Sequence, residues 1–332
     1  MRILIGLEMT ELPFYIYELD VVYVGSELAR PECVIADKDG SLWVSDGRGG
    51  VTHVIDKAHQ EFIPQTLDGK IIEGSMPNGL ALCANGNLAV ANMGTGRLEI
   101  MAKSGEVEVL CDAIEGQALG ILNFVLEDKS GQLWFTVSSR NPEFMESFRP
   151  DIAAGYIGLY ANGSAKIVAD NLKFPNEIRF DADEEYLYVA ETTGKRVRRM
   201  KVLGDQLGKP EVFGPNSLGD GFPDGIAFDA EGNIWVAMVV AEKIIVITPD
   251  QQTYTVLDAG NATAISDIEK CFSDCTLTRE QLATAKGTIA PLTSSIAFGG
   301  KDLRTVYLGC LAGNRIASFR SPVAGQPMAH WI

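Results

Sequence analysis

The stretch GFPDGIAFDAEGNIWVA, residues 221–237, holds a Pro-Asp turn at 223–224 and an alternating apolar run through Ile226 and Phe228. A tight turn at Glu231-Gly232-Asn233 and a second apolar run carrying Trp235 follow. Versions of this stretch recur along almost the whole chain. Pro31-Glu32 leads to Asp39-Gly40 and Leu42-Trp43-Val44, and Pro77-Asn78 to Asn85-Gly86 and Leu88-Ala89-Val90. Leu122-Asn123 leads to Ser130-Gly131 and Leu133-Trp134-Phe135, and Pro175-Asn176 to Asp183-Glu184-Glu185 and Leu187-Tyr188-Val189. Thr293-Ser294 leads to Gly299-Gly300 and Val306-Tyr307-Leu308. Trp43, Trp134 and Trp235 each fall 11 residues after the polar residue of their turn. That shared register marks an internal repeat.

The polar residues at 32, 78, 123, 176, 224 and 294 anchor six units with spacings of 46, 45, 53, 48 and 70 residues. Strand-turn-strand units at a period of about 40–50 residues are the signature of β-propeller blades. One unit cannot bury its own apolar face, so neighbours pack radially and six close a ring. The expectation is an all-β, six-bladed β-propeller with four antiparallel strands per blade, one domain over residues 1–332. Insertions are expected at about 138–155 and 258–290. In such a ring the innermost strands line a central channel, and the anchors, each just before an innermost strand, face one mouth of it.

The anchors read Glu32, Asn78, Asn123, Asn176, Asp224 and Ser294. Plain turn chemistry is one reading, because Asn, Asp and Ser side chains bond nearby backbone. The other is geometric: six oxygen-bearing side chains gathered round one axis make a channel-mouth site for a hard cation.

With 28 Lys and Arg against 44 Asp and Glu, the net charge is −16, which argues against nucleic-acid and anionic-membrane partners. The opening run, residues 1–7, is too short for a secretory apolar region, and no stretch approaches the roughly 18 apolar residues of a membrane span. Six scattered cysteines suit buried thiols better than a disulfide framework. A cytoplasmic location follows as the simplest expectation.

Within residues 1–30, the segments at 15–17 and 21–24 have strand composition, and one of them is expected to pair with the last strand near 315–319 and close the ring. The insertion after the second strand of blade 3 carries Phe144, Met145, Phe148 and Arg149. So apolar a loop packs either over the channel mouth as a lid or as a satellite cluster on the propeller face. Lys195-Arg196-Val197-Arg198-Arg199 reads as a solvated strand face. In the widest gap, Thr278 is placed to cap a helix opening at Gln281-Leu282-Ala283-Thr284-Ala285. Cys271 and Cys275 before it are free thiols or a local disulfide rather than zinc ligands, since a zinc site wants four. Asp46-Gly47-Arg48-Gly49-Gly50 follows a repeat strand and is a turn. No Gly-x-Ser-x-Gly elbow and no phosphate loop occurs, and His53, His59 and His330 are not anchors. Any catalysis therefore comes from carboxylates, amides and a metal.

Taken together, Pro77-Asn78-Gly79, Phe174-Pro175-Asn176, residues 222–227 (FPDGIA) and residues 293–300 (TSSIAFGG) resemble the senescence-marker-protein/gluconolactonase/luciferin-regenerating-enzyme family over about residues 25–325. The resemblance implies a six-bladed propeller lactonase with a divalent metal at the channel mouth. It implies Glu32, Asn176 and Asp224 as metal ligands, Asp224 also as general base, and Asn123 as a contact to substrate or a metal-bound water. Family members acting on sugar lactones often carry Arg two residues before the third-blade Asn and Asp just after it. Here those positions are Ile121 and Phe124. The metal set matches while the sugar-reading set does not, so a more apolar lactone or other ester stands beside an aldonolactone as substrate. Asn78 and Asn123 would orient water or substrate, and Glu191 would add a polar wall. The oxygen-only donor set leans toward Ca2+, with Mg2+, Zn2+ and Mn2+ as alternatives. The competing readings are a propeller esterase or phosphotriesterase at the same metal, and a metal-binding propeller without turnover.

Overall fold

The computed structural model describes residues 13–331; the opening run at residues 1–7 lies outside them. Six antiparallel sheets of four strands are arranged as blades, each innermost strand in contact with the next blade's. The innermost strands are Val34–Ala36, Pro77–Leu82, Leu122–Glu127, Pro175–Phe180, Phe222–Phe228 and Thr293–Gly299. The outermost strand of blade 6 comes from the other end of the chain: Val22–Val24 pairs with Ile316–Arg320, Val22 opposite Ser318. Closure therefore falls to the second of the two N-terminal segments, which covers the outer edge of Ile316–Arg320. Ile16, from the first segment, is buried instead, and its N–H donates to Val256 O at 2.7 Å.

The repeated residues each have a physical task. Trp43, Trp134 and Trp235 lie on second strands and are at most 1% exposed. Asp128 and Asp229 shape the turns before two of them, each accepting backbone N–H groups through Oδ1 and the indole N–H of Trp134 or Trp235 through Oδ2. In five blades the register of the innermost strand slips at the anchor, as between Pro77 and Leu80, Pro175 and Ile178, and Pro223 and Ile226. Such bulges re-aim a side chain out of the ladder, and here they release the anchors from it. Gly225, after the fifth anchor, has no room for a side chain: a Cβ there would lie 2.3 Å from Ser294 O.

Both insertions lie on the anchor side. The first holds a short helix, Phe144–Ser147; the second holds helices Ala262–Ser273 and Arg279–Leu282. Thr278 caps Arg279–Leu282 through a capping box with Gln281, two residues ahead of the expected start. Ala262–Ser273, capped by Asn261, was not foreseen; Ile265, Ile268 and Phe272 form its buried stripe. Cys271 and Cys275 are free thiols. Among the described residues no helix is long and apolar enough to cross a membrane. The basic strand of blade 4 is only partly a solvated face: Arg196 and Arg198 pair with buried Glu191, and Arg199 pairs with Glu211.

Candidate metal centre at the anchor mouth

All six anchors are buried, from 0% exposed at Ser294 to 5% at Asn176. A polar chain joins three of them. Asn78 Nδ2 donates to Glu32 Oε1 at 2.9 Å and also reaches Asn123 O at 3.0 Å and Asn123 Oδ1 at 3.3 Å. Asn123 Nδ2 donates to Ser138 Oγ at 3.0 Å, and that hydroxyl donates to Pro175 O of the next blade at 2.9 Å. Thr192 repeats the device one blade on, donating to Pro223 O at 2.8 Å and accepting from Asn176 Nδ2 at 3.4 Å. Ser294 Oγ donates to Glu32 O at 2.7 Å. Hydroxyls at the blade seams thus fix the anchors' backbone.

Three buried oxygens in this ring accept no hydrogen bond: Glu32 Oε2, Asn176 Oδ1 and Asp224 Oδ1. A buried acceptor without a donor costs about 1–3 kcal/mol, more when charged. Three such atoms on three blades are what a cation would satisfy. Among the described residues no group of three or more His, Cys, Asp or Glu side chains forms a metal-ligating cluster, so the donor set here rests on two carboxylates and an amide. Burial drives the Glu32 carboxyl up to about 7, with Arg30 and the Asn78 amide acting the other way. Asp224 is raised well above the usual range by burial and then by the charges of Glu32 and Glu177, again against Arg30 and the Asn176 amide. The Glu32 charge thus reaches Asp224.

The other expected residues fall on different sides of this ring. Ile121 is buried in the apolar cluster on the anchor side. Phe124 lies deeper and takes the Arg179 guanidinium on its ring face at 4.6 Å. Glu191 is not brought to the ring: its oxygens are held by Arg196 at 2.6 Å, Arg198 at 3.3 Å and Lys173 N at 2.9 Å, so it braces blade 4. Three charged groups were missed. Arg30 donates through Nη2 to Asn78 Oδ1 at 2.7 Å. Glu177 and Arg179 form a buried pair at 2.8 Å, and Glu177 Oε2 also accepts from Ile226 N at 3.3 Å. The signal for that pair was legible as two opposite charges two residues apart, just past the anchor of an innermost strand.

Past the Arg179 level lies a largely apolar channel cavity of about 180 Å3, lined by residues such as Leu80, Leu82, Leu126, Phe228 and Phe298. None of the six anchors lines it. Residues 326–331 cross that end, with Gln326 Nε2 donating to Phe180 O at 3.2 Å and Trp331 Nε1 to Ala36 O at 3.1 Å. The chemistry-bearing groups are at the other mouth. There the two insertions meet: Phe148 packs at 5.0 Å from Phe222 and 5.9 Å from Phe272, and the Arg279 guanidinium lies 5.2 Å from the Phe144 ring. The first insertion thus packs with the second in one apolar cluster on the anchor face.

Fold and site together define the class: six-bladed propellers whose hub gathers acids and amides at one mouth. The chain belongs to the SMP-30/gluconolactonase/LRE-like family, whose model matches residues 30–273. The adipocyte plasma membrane-associated protein of Danio rerio is 34% identical over 171 residues, covering 49% of this chain and 41% of that protein. The match thus spans less than half the length of that relative. In fold, the chain resembles a gluconolactonase from Xanthomonas campestris (TM-score 0.66, 18% identity, 90% of this chain and 89% of that one). It also resembles regucalcin, a calcium-binding protein from Agrobacterium tumefaciens (TM-score 0.68, 16% identity, 93% and 98%).

Proposed function

We propose that this protein is a divalent-metal-dependent hydrolase that opens a lactone, with Glu32, Asn176 and Asp224 holding the ion. The observation that carries the reading is the set of three unpartnered buried oxygens on those residues, one from each of three blades. The donors are all oxygen, which favours Ca2+, and the calcium-binding name of one structural neighbour agrees with that choice. When bound, the ion would supply Lewis-acid polarisation of the ester carbonyl and a lowered pKa for water at the site.

The protein's own groups do the rest. Asp224, buried in the anchor ring and ionised once the ion is bound, accepts the proton of the attacking water as general base. Asn78 fixes Glu32 and Asn123 in one arrangement, so the donor set is preorganised. The insertions close the mouth with apolar rings and exclude bulk water. That lid, with Ile121 where sugar-lactone enzymes often carry Arg, favours a substrate with an apolar body over a polyhydroxylated one. The product is a hydroxy acid.

The test is a panel of alkyl and aryl lactones, aldonolactones, aryl esters and phosphotriesters, assayed with added Ca2+, with chelator, and with Asp224→Asn. Lactone turnover lost in both controls is expected. Turnover indifferent to chelator and substitution would sink the metal mechanism. Turnover confined to aryl esters or phosphotriesters would move the assignment to that class, and calcium-raised melting without turnover to a binding propeller.

A further inference from the structure

Arg30 is a basic side chain whose charge acts on both Glu32 and Asp224, and the reaction as described gives it no task. Its backbone is in the left-handed region at φ 49, a conformation that costs a non-glycine residue on the order of 1 kcal/mol and persists where its surroundings over-determine it. The seat is built for it. A Cβ at Gly47 would lie 3.1 Å from Arg30 Cβ and 3.3 Å from Ala29 O, so a side chain on the facing turn would crowd this approach. One end of the guanidinium is tied down, Nη2 to Asn78 Oδ1 at 2.7 Å. The other, Nη1, is buried and has no acceptor, and Arg30 forms no ion pair with Glu32 or Asp224. A buried, fixed and unsatisfied guanidinium N–H in the same ring as the unsatisfied oxygens of Glu32 and Asp224 is a donor awaiting a ligand.

We propose that Arg30 is the ligand-binding cation of this centre, whose free Nη1 takes a carboxylate oxygen of the bound organic acid, the acyl end of the hydrolysed ester. This rests on the hydrolase reading for where the acid comes from; the recognition itself requires only the guanidinium. Arginine suits the task because it is always charged and donates along fixed directions to carboxylate oxygens. The ligand class is a monocarboxylate with an apolar body: the acid end sits at Arg30, and the body sits under the aromatic lid.

The test uses 4-phenylbutanoate and its uncharged primary amide as probes, with binding measured by titration calorimetry on the full chain, in Ca2+ and again in EDTA. The wild type is expected to favour the carboxylate by roughly tenfold or more, about 1.4 kcal/mol, in both media. Arg30→Met should abolish that preference while leaving amide binding within about twofold, and Arg30→Lys should restore part of it. An unchanged carboxylate preference in Arg30→Met, with calcium bound more tightly, would show a mere counter-ion to the buried acids and overturn the proposal. So would a wild type that binds the two probes alike. Should Arg30→Met fail to fold, Arg30→Gln, which keeps a donor for Asn78 and removes the charge, carries the same test, and an unchanged preference for the acid would equally overturn it. The EDTA arm separates the two readings: a wild type that never binds calcium but prefers the carboxylate removes the metal and keeps Arg30.

Discussion

Asn78 donates to Glu32 Oε1 at 2.9 Å, and the other oxygen of that carboxylate, Oε2, is buried with no donor at all. Half of the side chain is held and half is left for something else. Without an ion, Glu32 and Asp224 are buried acids whose proton affinity burial raises, that of Asp224 further through the Glu32 charge, a cost to stability. Glu32→Gln and Asp224→Asn should therefore each stabilise the metal-free protein, by about 1–3 kcal/mol, while removing the stabilisation that calcium confers. Thermal melts in EDTA and in Ca2+ check both halves. A metal-free Asp224→Asn that melts below wild type would contradict the account.

The same acids set a pH dependence whose sign can be worked out. Glu32 is raised to about 7 and Glu177 to about 8, both chiefly by burial, and Asp224 is raised well above its ordinary range. Between their ordinary values and these raised ones the native state holds protons that the unfolded chain has lost. Stability therefore falls as pH rises through that window. The metal-free protein should melt at progressively lower temperature from about pH 5 to about pH 8. Calcium competes with those protons, so the rise in melting temperature it produces should grow over the same range. Melts at fixed ionic strength measure this, and a metal-free optimum at the alkaline end would refute it.

Legibility from sequence followed how local the physics is. The turn-strand register was readable because three repeats carry a tryptophan at the same distance from the anchor, two of them tied to an Asp-centred turn, and ring closure was readable because Val22–Val24 is a strand with no local partner. The ring of anchors followed, since a repeat fold superposes equivalent positions. Arg30 was invisible: its partner Asn78 is 48 residues away, on the neighbouring blade. Glu191 misled for the converse reason, because its neutralising arginines lie on the adjacent strand, and strand pairing decides which acids are spoken for. Ala262–Ser273 was missed because its apolar stripe is short and broken by Asp267, Glu269 and Lys270. Phe148 and Phe222, against Phe272, supply the missing apolar partners.

Gly225 tests how tightly the hub is packed. Its missing side chain lets the fifth innermost strand lie against the sixth, where a Cβ would meet Ser294 O at 2.3 Å and Ser295 Cα at 2.5 Å. Both are backbone atoms and cannot rotate away. Gly225→Ala should destabilise the fold by about 1–3 kcal/mol through overpacking. It should also reduce calcium affinity, because Asp224 must shift with the strand. Denaturant melts and a calcium titration read the two effects; a neutral substitution would mean that the seam is looser than these distances require.

The lid is fastened at one point that can be cut. Glu269, midway along Ala262–Ser273, accepts from Gly221 N at 2.7 Å through Oε1 and pairs with Lys195 through Oε2. Lys195 in turn lies 5.1 Å from the Phe222 ring centre and 5.9 Å from that of Phe272. The pair is partly shielded, 17% and 19% exposed, so its loss should cost more than a surface ion pair and less than a fully buried one, about 1–3 kcal/mol. Because the helix packs on the propeller through a single stripe, that loss should appear first as local opening. Glu269→Ala is expected to speed amide exchange across residues 262–273 while the blade strands keep their protection, with Glu269→Gln intermediate since it retains an acceptor for Gly221 N. Under the hydrolase reading, kcat/KM for bulky aryl lactones should rise in the same variant as the mouth opens more often. Exchange unchanged in the helix would show that the aromatic contacts alone hold the lid shut.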